Sequence, residues 1–216
     1  MNENKPENIE NSENSKKKAL IMKIIPFALT ALIIILDQIT KSIIVDKIPL
    51  GTIGAQLMPL YKTLADGSKV VSDYFLRIIH VANTGVAFSV GASWSATARN
   101  FLFCAIPLIV IILVIVVYFR NKDFTKVQRW AIAGVIGGGL GNIIDRFFRK
   151  EGVVDFIDFK WFGADNSPLK LFKMERWPTF NVADSAVVIC GILLLVSFIV
   201  TLAKKPEDKK SENEKS

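Results

Sequence analysis

Four apolar runs, at about residues 21–45, 100–119, 130–148 and 184–203, alternate with polar segments along the chain. Wound as α-helices at about 1.5 Å per residue, each is long enough to cross a hydrocarbon core of roughly 30 Å. The first run is too long for a removable signal peptide and lacks a small-residue cleavage site, so it reads as a retained span. The pattern therefore predicts an α-helical polytopic membrane protein with four transmembrane helices in one domain, residues 19–203. Residues 1–18 and 204–216 hold mostly Asn, Glu, Lys and Ser, too little apolar surface to offset ordering entropy, and are expected to be disordered.

Between the first two spans the pattern changes. Residues 46–98 mix turn formers (Pro49, Gly51, Gly54, Pro59, Asp66-Gly67) with short β-prone pieces such as Phe75–Ile79, which predicts a small sheet outside the membrane. After the third span, residues 153–159 (Val-Val-Asp-Phe-Ile-Asp-Phe) read as a strand, and residues 160–179 as a loop on the membrane surface with Trp161, Phe162, Phe172 and Trp177 as interfacial anchors. The second span is scaffold, with Pro107 tolerated inside it.

Composition agrees with a membrane setting: mean hydropathy is +0.38 and 51% of the 216 residues are hydrophobic. The net charge of +7 sits mainly in tails and loops beside the spans, where topology and anionic lipid explain it better than nucleic acid. Lys16–Lys18, then Arg120, Lys122, Lys126 and Arg129, then Lys204, Lys205, Lys209 and Lys210 fall on one side of a four-span chain, so both termini are expected in the cytoplasm. Cys104 and Cys190 lie inside apolar runs and His80 is the single histidine, so no disulfide framework, metal site or Ser/His/Asp triad is expected.

What remains is a set of polar residues at the opposite span ends. Asp37 and Lys41 stand at i and i+4 and can neutralise each other. Asn83 precedes the small residues Gly85 and Ala87. Gly134, Gly137, Gly138, Gly139 and Gly141 allow close helix approach, and Asn142, Asp145 and Arg146 follow on one helix end, where Asp145 has Arg146 or a loop cation as possible partners. Asp155 has apolar neighbours, a setting that raises a carboxyl's pKa. Asp184 follows Asn181 at the mouth of the last span, where the pair would serve equally as a helix cap and first-turn acid. If the intervening loop folds back, Asp155 and Asp184 meet, and two close carboxylates share a proton and suit water activation without a cofactor. Acids at helix ends also serve proton- or cation-coupled transporters, and a non-catalytic assembly protein would use them only for packing.

Five segments together, Asp37-Gln-Ile-Thr-Lys41, Asn83-Thr-Gly-Val-Ala-Phe88, Gly138-Gly-Leu-Gly-Asn-Ile-Ile-Asp-Arg146, Val153-Val-Asp-Phe156 and Phe180-Asn-Val-Ala-Asp-Ser185, resemble the bacterial lipoprotein signal peptidases (signal peptidase II). The resemblance implies an extracytoplasmic β-cradle beside the four spans, and an aspartyl endopeptidase of the bacterial inner membrane. It implies no cofactor and cleavage of diacylglyceryl-modified prolipoproteins just before the lipidated cysteine. By motif, Asp155 and Asp184 are the expected catalytic pair. Asp37, Lys41, Asn83, Gly85, Ala87, Phe88, Gly134, Gly138, Asn142, Asp145, Arg146, Asn181 and Ala183 are expected to line or brace the site. Membrane lipids are the expected surroundings, and a monomer the expected state. Val86 departs from a commonly small position, and the loops at residues 58–73 and 160–179 are longer than a minimal member needs.

Overall fold

A computed structural model describes the backbone of residues 5–84, 96–160 and 176–213, and the side chains of residues 13–84, 101–160 and 176–203. Among the described residues, five helices and three strands follow in the order α1 (Lys5–Ile24), α2 (Phe27–Lys47), β1 (Ile53–Thr63), β2 (Lys69–Asn83), α3 (Ala96–Arg120), α4 (Lys126–Phe148), β3 (Val153–Phe159) and α5 (Val182–Asn213). Four helical segments, Glu13–Lys47, Phe101–Arg120, Lys126–Phe148 and Val182–Ala203, are long and apolar enough to cross a membrane.

The first span is broken where the sequence inserts Pro26, which caps α2 without a backbone donor of its own. Helix α1 starts at Lys5, within the stretch whose composition reads as disordered, and residues 13–20 of it are exposed. Its end is tied to α3, where the buried Tyr118 donates to Lys23 O (2.6 Å) and Lys23 Nζ donates to Phe119 O (3.0 Å).

Helix α4 is central. Buried positions make up 56% of its apolar window, against 17%, 17% and 6% in the other three spans, and it packs on α2, α3 and α5. Its glycines explain the fit. A Cβ at Gly137 would stand 3.1 Å from Thr30 Cα, and Thr30 Oγ1 donates to Ala133 O across the same seam (2.7 Å). At its other end a full capping box, Thr125 with Gln128, starts the helix.

The sheet is antiparallel in the order β1-β2-β3. Strands β1 and β2 are longer than the short pieces read from sequence, and join through a turn in which Gly67 takes φ +83° and Asp66 Oδ1 accepts from Ser68 N (2.9 Å). Strand β3 is the buried edge. Val154 and Phe156 pack with Ile44 and Ile48, so the alternation of a strand sends Asp155 to the other face. Phe180 then pairs with Ile157, which brings the start of α5 alongside β3.

Candidate active site

The cap at the start of α5 forms, and it leaves chemistry to spare. Asn181 Oδ1 accepts from Asp184 N (2.9 Å) and Asp184 Oδ2 accepts from Asn181 N (3.2 Å), a reciprocal capping pair with Asp in place of the usual Glu. This uses one oxygen of Asp184. The other, Oδ1, accepts from Asn142 Nδ2 on α4 (2.7 Å).

Asp155, 2% exposed, meets Asn181 from β3. Its Oδ1 accepts from Asn181 Nδ2 (2.7 Å) and its Oδ2 from Asn83 Nδ2 at the end of β2 (3.0 Å). Burial pushes its carboxyl up to about 6. The Asn83 hydrogen bond opposes the shift, the Asp184 charge adds to it, and Asn181 and Lys41 lower it again. Gly152 makes the approach of Asn83 possible: it takes φ +102°, and a Cβ there would lie 2.6 Å from Asn83 O.

A second buried acid cluster stands behind the first. Lys41 Nζ, fully buried, reaches Asp37 Oδ2 (2.8 Å), Asp145 Oδ2 (3.0 Å) and Asn142 Oδ1 (2.9 Å), which places all three of its protons. Gln38 Nε2 lies 3.2 Å from Asp37 and 3.1 Å from Asp145, while Arg149 Nε pairs with Asp145 (3.1 Å) and Val154 N donates to Asp145 (3.0 Å). Asn142 links the clusters. Its oxygen accepts from Lys41 and Asn181 (3.0 Å), which turns its amide N–H toward Asp184.

Small residues let these elements meet. Ala183, fully buried, donates its N–H to Asp37 Oδ1 (3.0 Å). A Cβ on Gly138 would overlap Ala183 O, and one on Gly134 would overlap Cys190 Sγ, so both positions require glycine for α4 to lie against α5.

The structure thus brings together Asp37, Lys41, Asn83, Gly138, Asn142, Asp145, Asp155, Asn181, Ala183 and Asp184, whereas Gly134 lies further along the α4–α5 seam, against Cys190 and Leu29. Gly85, Ala87 and Phe88 lie outside the described residues, as do Trp161, Phe162 and Phe172. Arg146 does not pair with its neighbour Asp145. Its guanidinium lies over Phe103 of α3 (5.4 Å), because Asp145 turns inward to Lys41 and Arg149. Sequence reasoning missed Gln38 and Arg149 as members of the site; Arg149 stands at i+4 from Asp145, a spacing that signals the pair. Among the described residues no group of three His, Cys, Asp or Glu is arranged to hold a metal ion. Beside Asp184 lies an apolar cavity of about 360 Å³, walled by Phe159, Trp177, Phe180, Ser185, Val188 and Ile189.

Two carboxylates that share Asn181 and are held by amide donors, with an apolar cavity alongside, form a pair of the kind that can activate water. Comparisons with known proteins bear on the same site. A family model described as signal peptidase (SPase) II matches residues 29–200. The lipoprotein signal peptidase of Treponema pallidum (strain Nichols) is 42% identical over 177 residues, 82% of this chain and 84% of that protein. That of Treponema denticola is 42% identical over 187 residues, 87% and 95% of the two. Two solved structures described as a bacterial membrane enzyme are similar at a TM-score of 0.60, with 27% and 26% identity, and cover 80% and 83% of this chain. These matches give no support to a transporter.

Proposed function

The chain belongs to the signal peptidase II family of membrane aspartic peptidases, a multi-pass bacterial membrane protein, and from that premise we propose that Asp155 and Asp184 are its catalytic pair. The substrates are prolipoproteins already carrying a diacylglyceryl group on the lipobox cysteine, and the cut falls just before that cysteine. One observation carries this reading: of the four acids grouped at this end of α4, the buried Asp155 and the half-buried Asp184 are met by amide N–H donors and, among the described residues, by no ion pair. An acid without a cation remains available to trade protons.

The water lies between the two carboxyls. Asp155, whose burial favours the protonated form, donates a hydrogen bond to the scissile carbonyl oxygen. Asp184, whose two oxygens accept from Asn142 and Asn181, takes a proton from the water as its oxygen attacks the carbonyl carbon. The C–N bond of the tetrahedral species then breaks, and the departing cysteine amine takes a proton from the pair.

The site faces the extracytoplasmic side and both termini the cytoplasm. The basic residues Lys16–Lys18, Arg120, Lys122, Lys126 and Arg129 at the opposite helix ends support this orientation. Such a position suits a substrate held in the outer leaflet, whose acyl chains contribute binding energy away from the cut bond. The protein works as a monomer in contact with membrane lipid.

The test is a gel-shift assay with a diacylglyceryl-modified precursor and protein purified in detergent. Wild type is expected to release the signal peptide. Asp155→Asn and Asp184→Asn are each expected to lose cleavage, by about 10³-fold or more, while they elute as folded protein. Full activity in either variant would sink the dyad.

A further inference from the structure

The mechanism leaves unused a chain of charged residues on the sheet. Asp158 of β3 is nearly fully buried, its side chain 4% exposed, and it is held by Arg77 from the neighbouring strand (Nε to Oδ2, 2.8 Å). Arg176 approaches from the other side: its Nε lies 2.8 Å from both Asp158 oxygens, and its Nη2 donates to Asp158 O (3.2 Å). Its Nη1 donates to Tyr74 O (3.1 Å) and lies 3.4 Å from Asp73, which Lys160 Nζ also reaches (2.8 Å). One guanidinium thus joins β2, β3 and the segment that leads into α5.

That guanidinium stands next to a wall of the cavity. Trp177 N donates to Phe159 O (3.0 Å), and the two rings stack at 5.9 Å with 10° between their planes. Phe159 in turn meets Phe180 edge-on (5.9 Å). These three rings face Asp184 and Val188 across the apolar cavity. Trp177 is 38% exposed, so burial alone does not hold it; its backbone is held by its own N–H on Phe159 O and, through the chain, by the residue before it, which pairs with Lys160. An Arg with several of its donors placed, against a buried acid and two carbonyls, is a stiff anchor of a kind that Lys, a point charge, reproduces only in part.

We propose that Arg176 is a positioning residue: through Asp158, Asp73 and Tyr74 O it fixes the Trp177–Phe159 wall, and the wall receives the apolar group of the substrate nearest the scissile bond. This rests on the peptidase reading above. The group is an acyl chain or a side chain of the peptide; both present the same hydrocarbon surface to the rings.

The experiment measures kcat and KM of Arg176→Gln, Arg176→Lys and Trp177→Ala on the diacylglyceryl-modified precursor in detergent. It adds the affinity of the same precursor for Asp155→Asn with and without Arg176→Gln. Arg176→Gln and Trp177→Ala are expected to raise KM about tenfold with kcat within about twofold of wild type, and Arg176→Lys to recover part of the loss. Binding to the Asp155→Asn background is expected to weaken by a similar factor. A precursor with shortened acyl chains loses this penalty if the acyl chain fills the cavity and keeps it if the peptide does; either result upholds the wall. KM and affinity unchanged in a folded Arg176→Gln overturn the proposal, as does a fall in kcat at constant KM. If Arg176→Gln does not fold, Trp177→Ala, which leaves every ion pair in place, decides by the same criterion. Cleavage by the Asp155→Asn protein itself would instead sink the dyad and leave the binding comparison standing.

Discussion

Two pairs of acids lie side by side at one end of α4, and they are wired differently. Asp37 and Asp145 share one ammonium, Lys41, with Gln38, Arg149 and the N–H groups of Ala183 and Val154 completing the shell. Asp155 and Asp184 receive amide N–H donors from Asn83, Asn142 and Asn181. Removing the cation from a buried ion pair strands a charge, so the first arrangement ties the elements together; a carboxylate held by neutral donors keeps its place with no cation to displace. On the function proposed above, the first cluster is frame and the second reactive, with Asn142 turned by one toward the other.

That division is broken most severely at the reactive pair. Loss of cleavage in Asp155→Asn and Asp184→Asn is expected with little change in the melting temperature of the detergent-solubilised protein. Equal loss of stability and activity would place these acids with the frame instead.

At the frame the expected effect is on folding. Lys41→Met strands two buried carboxylates and is expected to cost about 3–5 kcal/mol, read as a lowered melting temperature. The triple variant Asp37→Asn, Lys41→Met, Asp145→Asn removes the stranded charges and should recover much of that loss. If Lys41→Met alone melts like wild type, the cluster is not what holds α2 to α4.

A smaller effect tests how the clusters are brought together. Gly138→Ala drives a methyl into Ala183 O and is expected to cost about 1–3 kcal/mol. Gly191→Ala on α5, where an added Cβ meets nothing within 4 Å, is expected to gain up to about 1 kcal/mol. Equal melting shifts for the two would remove the argument for a close α4–α5 seam.

The spans were legible because apolar length is a local property, and the predicted runs fall within α1–α2, α3, α4 and α5 with shifted ends. The i,i+4 pair Asp37–Lys41 was legible for the same reason. The second acid on Lys41 was not: Asp145 lies far along the chain, and the local cues pointed to Arg146, which the fold sends to Phe103, or to a loop cation, a part that Arg149 takes. The ion pairs of Arg176 with Asp158 and Asp73 were invisible too, since strand register, not spacing, brings them together. At Asp184 the cap and the site-facing roles coexist, because a carboxylate has two oxygens and the cap takes one.

The finest prediction concerns the proton itself. Asp155 in the fold titrates near 6, above its ordinary value of 3.8, so the folded protein binds a proton that the unfolded chain has released between these values. Its contribution to stability is present below about 4 and is lost as pH rises through about 6, and the acid form needed for catalysis disappears over the upper part of the same window. The Asn83 amide works against this by stabilising the carboxylate, so Asn83→Ala is expected to raise the Asp155 value further. The alkaline limb of kcat/KM should then move to higher pH, and the pH-dependent fall in melting temperature should move with it, while Asp155→Asn shows no such fall. An alkaline limb that stays in place in Asn83→Ala, while the fall in melting temperature moves, would mean that the limb does not report Asp155, and the acid role would pass to Asp184.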